Sequence, residues 1–458
     1  MMDLRAAAHA IGGKLCGDNV TFCGVSTDTR RIVAGELFVA LRGPNFDGHD
    51  YLAAAAARGA AAAIVAADVV ANLQAVALPL IQVPDTRLSL GALAADWRSH
   101  FSLPLIAVTG SNGKTTTKEM IASILKLAFG EAILATQGNY NNDIGLPLTL
   151  LRLSSTHRAA IVEMGMNHPG EIAYLAGIAR PSVALVTNAQ RAHLAGMGSL
   201  EAIATEKGSI FSGLDESGVA VFNADDQWAG LWHSASRGLG VMTFGFGQSA
   251  DVIGKCHLHG LENRLSVRTS GGEVVDIVLA LPGEHNARNA LAAATACLAA
   301  GISLQAVQAG LSAFRGLKGR LQRRRGLHDA VLLDDTYNAN PDSVRAGIDV
   351  LAATIGKKVL VLGDMGEIGE MSGQFHDEIG GYAKSQGVDR LLTIGEASAL
   401  AAHNFGSGGE HFTSIDRLIE VLLAELSAET TVLVKGSRFM RMERVADALA
   451  VPAAGRSD

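Results

Sequence analysis

The segment Val108-Thr109-Gly110-Ser111-Asn112-Gly113-Lys114-Thr115-Thr116 constrains the chain more than any other. An apolar run, 105–108, leads into it, and an amphipathic helical pattern leaves it. Backbone N–H groups of such a loop, at a helix N-terminus, surround phosphate oxygens. Lys114 adds a positive charge, and Thr115 brings a hydroxyl to the Mg²⁺ of a nucleotide. The general pattern G-x-x-x-x-G-K-[ST] asks for glycine where this chain has Val108, with the nearest glycine displaced to Gly110. Gly-Lys-Thr-Thr after a buried strand still points to nucleotide binding. The fold that presents such a loop is an open parallel sheet with helices on both faces.

The rest of the chain repeats that rhythm. Apolar runs at 159–162, 183–186 and 219–222 are mostly followed by Gly, Asn or Asp and then by a helical pattern. Between 251 and 281 alternation takes over, with a turn at Ser270-Gly271-Gly272, which predicts antiparallel strands. A helix is expected from about 286 to 300. Gly301, Gly310 and Gly316 then punctuate a short helical junction read as a hinge, and runs at 331–333, 359–362, 391–394 and 432–434 announce a second, smaller doubly wound unit.

A length of 458 residues suits about three domains. The boundaries expected are residues 1–84, 85–313 and 314–458. The fold class is α/β, with a central phosphate-loop parallel sheet and a C-terminal Rossmann-like sheet. Hydrophobic residues at 48% and charged residues at 18% exclude disorder as the main state. A net charge of −7 offers no global basic field to nucleic acid or anionic membrane. The stretch 52–70 is mostly Ala, with Arg58 and Asp68 inside it, so membrane insertion is not expected. With no apolar leader in the first 15 residues and four cysteines in no metal-ligand spacing, a reduced, cytoplasmic protein is expected.

Several polar residues fall at strand ends, where open α/β sheets bind ligands. Glu163 ends the run 159–162, a position from which a carboxylate can hold a metal beside the phosphate loop. His193 follows the next strand end. Lys207 lies in a helical stretch where local sequence alone reads it as a surface lysine. The segment from Pro282 to Ala290 opens a helix whose Asn286 and Asn289 suit either an adenine or the helix cap. In the last unit the strand ends carry Asp334-Asp335, Gly363-Asp364, Gly395-Glu396 and Lys435-Gly436, a site edge or plain turn chemistry. The basic run from Arg320 to Arg325, with Arg323-Arg324-Arg325 at its end, reads as a solvated face, although one arginine of the run can meet a γ-phosphate.

Taken together, the residues resemble the Mur ligases, the ATP-dependent amide ligases that build the peptide stem of peptidoglycan. The resemblance is carried by Val108 to Thr117, Asn139-Tyr140-Asn141-Asn142 with Ile144-Gly145-Leu146-Pro147, Glu163, His193, Lys207, the group from His285 to Asn289, and Asp335. Val108 agrees with this family's form of the loop. Asp334-Asp335-Thr336-Tyr337-Asn338-Ala339-Asn340-Pro341, Gly363-Asp364-Met365 and Lys435-Gly436-Ser437-Arg438 resemble the member that adds D-alanyl-D-alanine. So do Ser26-Thr27-Asp28-Thr29-Arg30, Gly35 to Leu41 and Asn45-Phe46-Asp47-Gly48-His49.

The resemblance implies UDP-N-acetylmuramoyl-tripeptide and D-alanyl-D-alanine as substrates, ATP and Mg²⁺ as cofactors, and a monomer. It implies Lys114, Lys207 and His193 as catalytic. Around ATP it implies Gly110, Ser111, Asn112, Gly113, Lys114, Thr115, Thr116, Asn286, Arg320, Asp335 and Asn338. Ser26, Thr27, Asn45, Phe46, Asp47, His49 and Asn142 would hold the UDP substrate. Thr115, Glu163, His193 and a carbamylated Lys207 would serve the metal. The alternatives are a family member adding another amino acid, a folate polyglutamylating relative, and a phosphate-loop module without ligation.

Overall fold

In a computed structural model, which describes residues 1–69, 77–192, 194–259 and 261–452, the chain forms three successive α/β units. The first is a five-stranded sheet in the order Lys14–Cys16, Leu80–Val83, Ala62–Ala66, Leu37–Val39, Val25–Ser26. Only Lys14–Cys16 runs antiparallel to its neighbour.

The central unit is a nine-stranded sheet. Its order is Ile133–Ala135, Ala159–Glu163, Leu105–Thr109, Val183–Val186, Val219–Asn223, Gly240–Gly245, Val252–His259, Glu262–Thr269, Val274–Leu279. The first seven strands pair in parallel. The last two pair antiparallel, as alternation predicts, and extend the same sheet instead of forming one of their own. Leu105–Thr109 lies in the interior and all five of its residues are buried, which is why it reads as a continuous apolar run.

One face of this sheet carries the helices Lys114–Phe129, Glu284–Ala299 and Leu304–Ala313. Alanine fills most of the buried side of Glu284–Ala299, so that helix lies close against the strands. On the other face, Thr86–Ser99 and Glu171–Ala179 contribute to a core that also contains Leu37 and Ile64 of the first sheet. The N-terminal and central units therefore share one hydrophobic core.

The C-terminal unit has a six-stranded sheet ordered Gln322–Arg325, Val331–Asp335, Thr430–Lys435, Lys357–Gly363, Arg390–Ile394, Gly409–Phe412. All but the first strand pair in parallel. Separate apolar clusters cover its two faces, and neither contains buried core residues of the other units.

Two expectations need correction. Gly310 is not part of a hinge: it lies inside the helix Leu304–Ala313, where a Cβ would fall 2.5 Å from Ile124 Cα, so glycine permits close helix packing there. The connection between the two units narrows to the residues around Gly316 and Gly319, with φ of +85° and +71°. The basic run is likewise more than a solvated face. Its residues form the edge strand Gln322–Arg325, and Arg324 donates to the fully buried Asp334 at 3.1 Å. Removing that guanidinium would leave a buried charge unpaired.

Candidate active site

The phosphate loop is shaped by two glycines. Gly110 has φ +146°, and a Cβ there would sit 1.9 Å from Thr187 Oγ1. Gly113 caps the following helix at φ +82°, with Asn289 Oδ1 only 2.2 Å from where a Cβ would be. A side chain at either place meets both backbone strain and a collision. The loop is laced to the next strand end. Asn112 N donates to Asn188 Oδ1 (2.9 Å), Thr187 Oγ1 donates to Asn112 O (2.8 Å), and Ser111 Oγ donates to Gln190 O (3.1 Å). Lys114 Nζ folds back onto Gly110 O at 2.6 Å and Ser111 O at 3.2 Å. Burial holds its pKa below the usual lysine value, and the positive Arg320 adds to that, while Glu163 opposes it.

Glu163 ends the strand Ala159–Glu163 directly opposite Val108 in the parallel ladder. Its Oε1 accepts from Asn141 Nδ2 at 2.7 Å, while the buried Oε2 has no hydrogen-bond partner. Lys207, on the helix Leu200–Gly208, is 0% exposed, and its Nζ is also without a partner. Burial, and then the nearby charge of Lys114, push its pKa well below normal. Local sequence reads Lys207 as a surface residue; the tertiary structure buries it. An unpartnered buried ammonium is costly. An unpartnered carboxylate oxygen close by is a vacant place for a hard cation.

Among the described residues no three His, Cys, Asp or Glu side chains gather into a ready-made cage. Mg²⁺ is usually held by one or two carboxylates together with substrate phosphates and water, and Glu163 presents one such carboxylate to the cavity. His193 lies outside the described residues.

A cavity of about 680 Å³ joins the central and C-terminal units. It is lined by every residue from Ser111 to Thr116, by Asn142, Glu163, His285 and Asn286, and from the far side by Arg320, Asp335, Tyr337, Asn338, Glu367 and Lys435. Burial pushes the His285 imidazole down to about 4, against the pull of Asp335. Asn286 Nδ2 donates to Pro282 O at 2.8 Å, bracing the turn that opens its helix. Asn142 Oδ1 accepts from Gly145 N at 2.8 Å and starts the helix Gly145–Leu150. It is Asn141 that reaches Glu163, a partner no spacing in the sequence singles out.

The C-terminal unit meets the phosphate loop through polar contacts. Arg320 reaches Thr115 Oγ1 at 3.3 Å and lies 3.9 Å from the Tyr337 ring centre. Asn340 Nδ2 donates to Asn112 Oδ1 at 2.8 Å. Arg191 donates to Asp342 Oδ1 at 2.6 Å and sits 5.4 Å from the Phe375 ring. Lys435 Nζ donates to Asp335 Oδ2 (2.6 Å) and to Asn338 O (3.0 Å), which fixes both residues in the cavity wall.

The N-terminal candidates group elsewhere. Asn45 lies at the tip of a hairpin formed by Arg42–Gly43 and Phe46–Asp47, and Phe46 is exposed there. Asp47 accepts from His49 N (2.9 Å), and His49 Nε2 accepts from Ala66 N (2.9 Å), so this pair holds the hairpin to the sheet. Ser26 makes a local turn with Asp28. Thr27 stands beside it, and none of these residues lines the central cavity.

Comparison with known proteins agrees with this arrangement. Residues 21–98 match the model described as Mur ligase family, catalytic domain; 108–297 match Mur ligase middle domain; and 319–438 match Mur ligase, glutamate ligase domain. The UDP-N-acetylmuramoyl-tripeptide–D-alanyl-D-alanine ligase of Escherichia coli is 43% identical over 453 residues, covering 97% of this chain and 98% of the relative. A crystal structure of MurF from Acinetobacter baumannii superposes with a TM-score of 0.89 at 33% identity, covering 98% of each chain. MurF of Thermotoga maritima in complex with ADP superposes at 0.81 with 26% identity, over 93% of this chain and 96% of that one.

Proposed function

The chain belongs to the Mur ligase family, and from that premise we propose that it joins D-alanyl-D-alanine to UDP-N-acetylmuramoyl-tripeptide at the expense of ATP. The observation that carries this reading is one cavity in which Lys114 and Glu163 of the central unit face Arg320, Asp335 and Asn338 of the C-terminal unit. The γ-phosphoryl group passes to the tripeptide's terminal carboxylate. The dipeptide amine then attacks the acyl phosphate, and phosphate leaves.

The obstacle is charge. A carboxylate about 4 Å from one phosphate charge is repelled by about 4 kcal/mol at an effective dielectric near 20, and a triphosphate presents several such charges. Lys114 from one side and Arg320 from the other offset that repulsion, and the loop N–H groups add to them. Tyr337 supports the Arg320 guanidinium by stacking. Glu163, Thr115, His193 and Lys207 as its carbamate would hold Mg²⁺, which when bound adds charge neutralisation at the phosphates. Carbamylation gives Lys207 two oxygens and a negative charge in place of an unpartnered ammonium.

ATP would lie along the phosphate loop, with Asn286 toward the base. The UDP end would lie on the N-terminal hairpin, with Ser26, Thr27 and the residues from Asn45 to His49. We expect the protein to act as a monomer. Consumption of ATP and a nucleotide-linked sugar suits the cytoplasm, and no described helix is long and apolar enough to cross a membrane. The test is phosphate release measured with each substrate omitted in turn. Release that requires ATP, UDP-tripeptide and D-alanyl-D-alanine together is expected. Equal release from ATP alone would overturn the reading.

A further inference from the structure

The C-terminal unit brings to the cavity a glutamate held in an uncommon conformation. Glu367 lines the cavity and has φ +61°, a left-handed backbone that glycine or asparagine adopts far more readily. The segment before it is tied to neighbouring strand ends. Gly366 N donates to Ser437 Oγ (2.7 Å), and Ser437 N donates to Asp364 O (3.0 Å). The Asp364 carboxylate in turn accepts from Ser398 N (2.8 Å) and Glu396 N (3.0 Å). A non-glycine residue in this region carries backbone strain, and such strain clusters at functional positions. Glu367 and Lys114 line the same cavity from opposite units, and the negative charge of Glu367 favours the Lys114 ammonium.

The acceptor poses a problem that the cations of the site do not solve. It arrives as an ammonium, which Lys114 and Arg320 repel, and its nitrogen cannot attack until a proton has left. On the ligase reading above, we propose that Glu367 holds the ammonium of the acceptor dipeptide and takes one proton from it, which frees the lone pair with which the nitrogen attacks. The nitrogen–carbon bond forms at the acyl carbon, and the bond from that carbon to the phosphate oxygen breaks. Phosphate leaves with the electron pair and takes the second proton of the nitrogen as hydrogen phosphate, while the first proton stays on the Glu367 carboxylate. Gly366 and Tyr337 line the cavity beside Glu367, and two side chains outside the lining pack against them. Gly366 allows the Phe439 ring to approach, since a Cβ there would be 3.0 Å from it, and Arg438 lies 5.9 Å from the Tyr337 ring.

The experiment compares wild type with Glu367→Gln and Glu367→Gly, the latter chosen because glycine takes the same φ without strain. Two acceptors are used with ATP and UDP-tripeptide: D-alanyl-D-alanine, and hydroxylamine, which is largely uncharged at neutral pH and traps the acyl phosphate as a hydroxamate. Both variants should lose about 100-fold or more in kcat/KM for the dipeptide. Their hydroxamate yield should stay within about twofold of wild type, because the first half of the reaction persists. Unchanged dipeptide kinetics would overturn the assignment, and so would a parallel loss of hydroxamate. If wild type forms no hydroxamate, the ligase reading itself falls and this assignment with it.

Discussion

At the carboxyl edge of the central sheet, polar groups are left facing the cavity; at the same edge of the C-terminal sheet, most are engaged in holding the fold. Glu163 lines the cavity and keeps an unpartnered oxygen, and Lys207, buried behind the lining, keeps an unpartnered nitrogen. By contrast Asp334 binds Arg324, Asp364 caps the helix Ser398–Phe405, and Asp335 binds Lys435. The first edge holds groups ready for a ligand. The second is a braced scaffold that reaches across with Arg320, Asn340 and Asp342. The first edge offers unpartnered groups, and the cavity is completed by residues that the second holds in place.

Attacking the ligand-facing edge should have the largest effect. Lys114→Ala is expected to lower kcat/KM by about 10³-fold, roughly 4 kcal/mol, with an unchanged melting temperature. Near-normal turnover with unchanged KM for ATP would break the comparison at its strongest point. Lys207→Ala should cost about 10²-fold or more, and added short carboxylates should restore part of it by supplying the missing oxygens. Full activity across CO₂ levels would return Lys207 to the role of an inert buried lysine.

Attacking the scaffold edge should cost less and show in shape. Asn340 caps the helix Pro341–Ala352 through Ser343 N, so Asn340→Ser keeps a capping oxygen while removing the amide that reaches Asn112. Combined with Arg191→Met, it should reduce kcat/KM about tenfold, or 1.4 kcal/mol. The radius of gyration of the protein with ATP and UDP-tripeptide should rise toward that of an open form. Identical scattering curves for variant and wild type would show that these contacts do not hold the domains together.

The smallest effect is on stability. His285 titrates near 4 when folded because burial disfavours its cation. The unfolded chain, titrating near 6.5, binds the proton first, so stability is full above about 6.5 and falls as pH drops toward 4. His285→Gln should flatten that slope by about 1–3 kcal/mol in denaturant unfolding followed across this window. An unaltered slope would mean that the imidazole is hydrated in the folded protein.

The sequence rendered the strands well because burial on both faces demands continuous apolar runs, as at 159–162 and 432–434. It missed Gly240–Gly245 and Gly409–Phe412, an added strand and an edge strand with mixed composition. Gly310 misled because glycine serves helix packing and hinges alike. The strand-end acids were ambiguous for a similar reason. An aspartate that caps a helix and one that faces a cavity have the same local sequence, and only Asp335 of the pair Asp334-Asp335 lines the cavity.

By itself the sequence determined the phosphate loop, since Gly110, Gly113 and Lys114 act through backbone conformation and short-range reach, properties written within a few residues. It also determined the α/β class, through the spacing of its apolar runs. Tertiary structure alone decided that Lys207 is buried near Glu163, that Asn141 orients that carboxylate, and that Arg320 crosses to Thr115. These are contacts between segments 22 to 205 residues apart for the two hydrogen-bonded pairs. Their energy depends on burial and on distance in space, neither of which is a property of neighbouring residues.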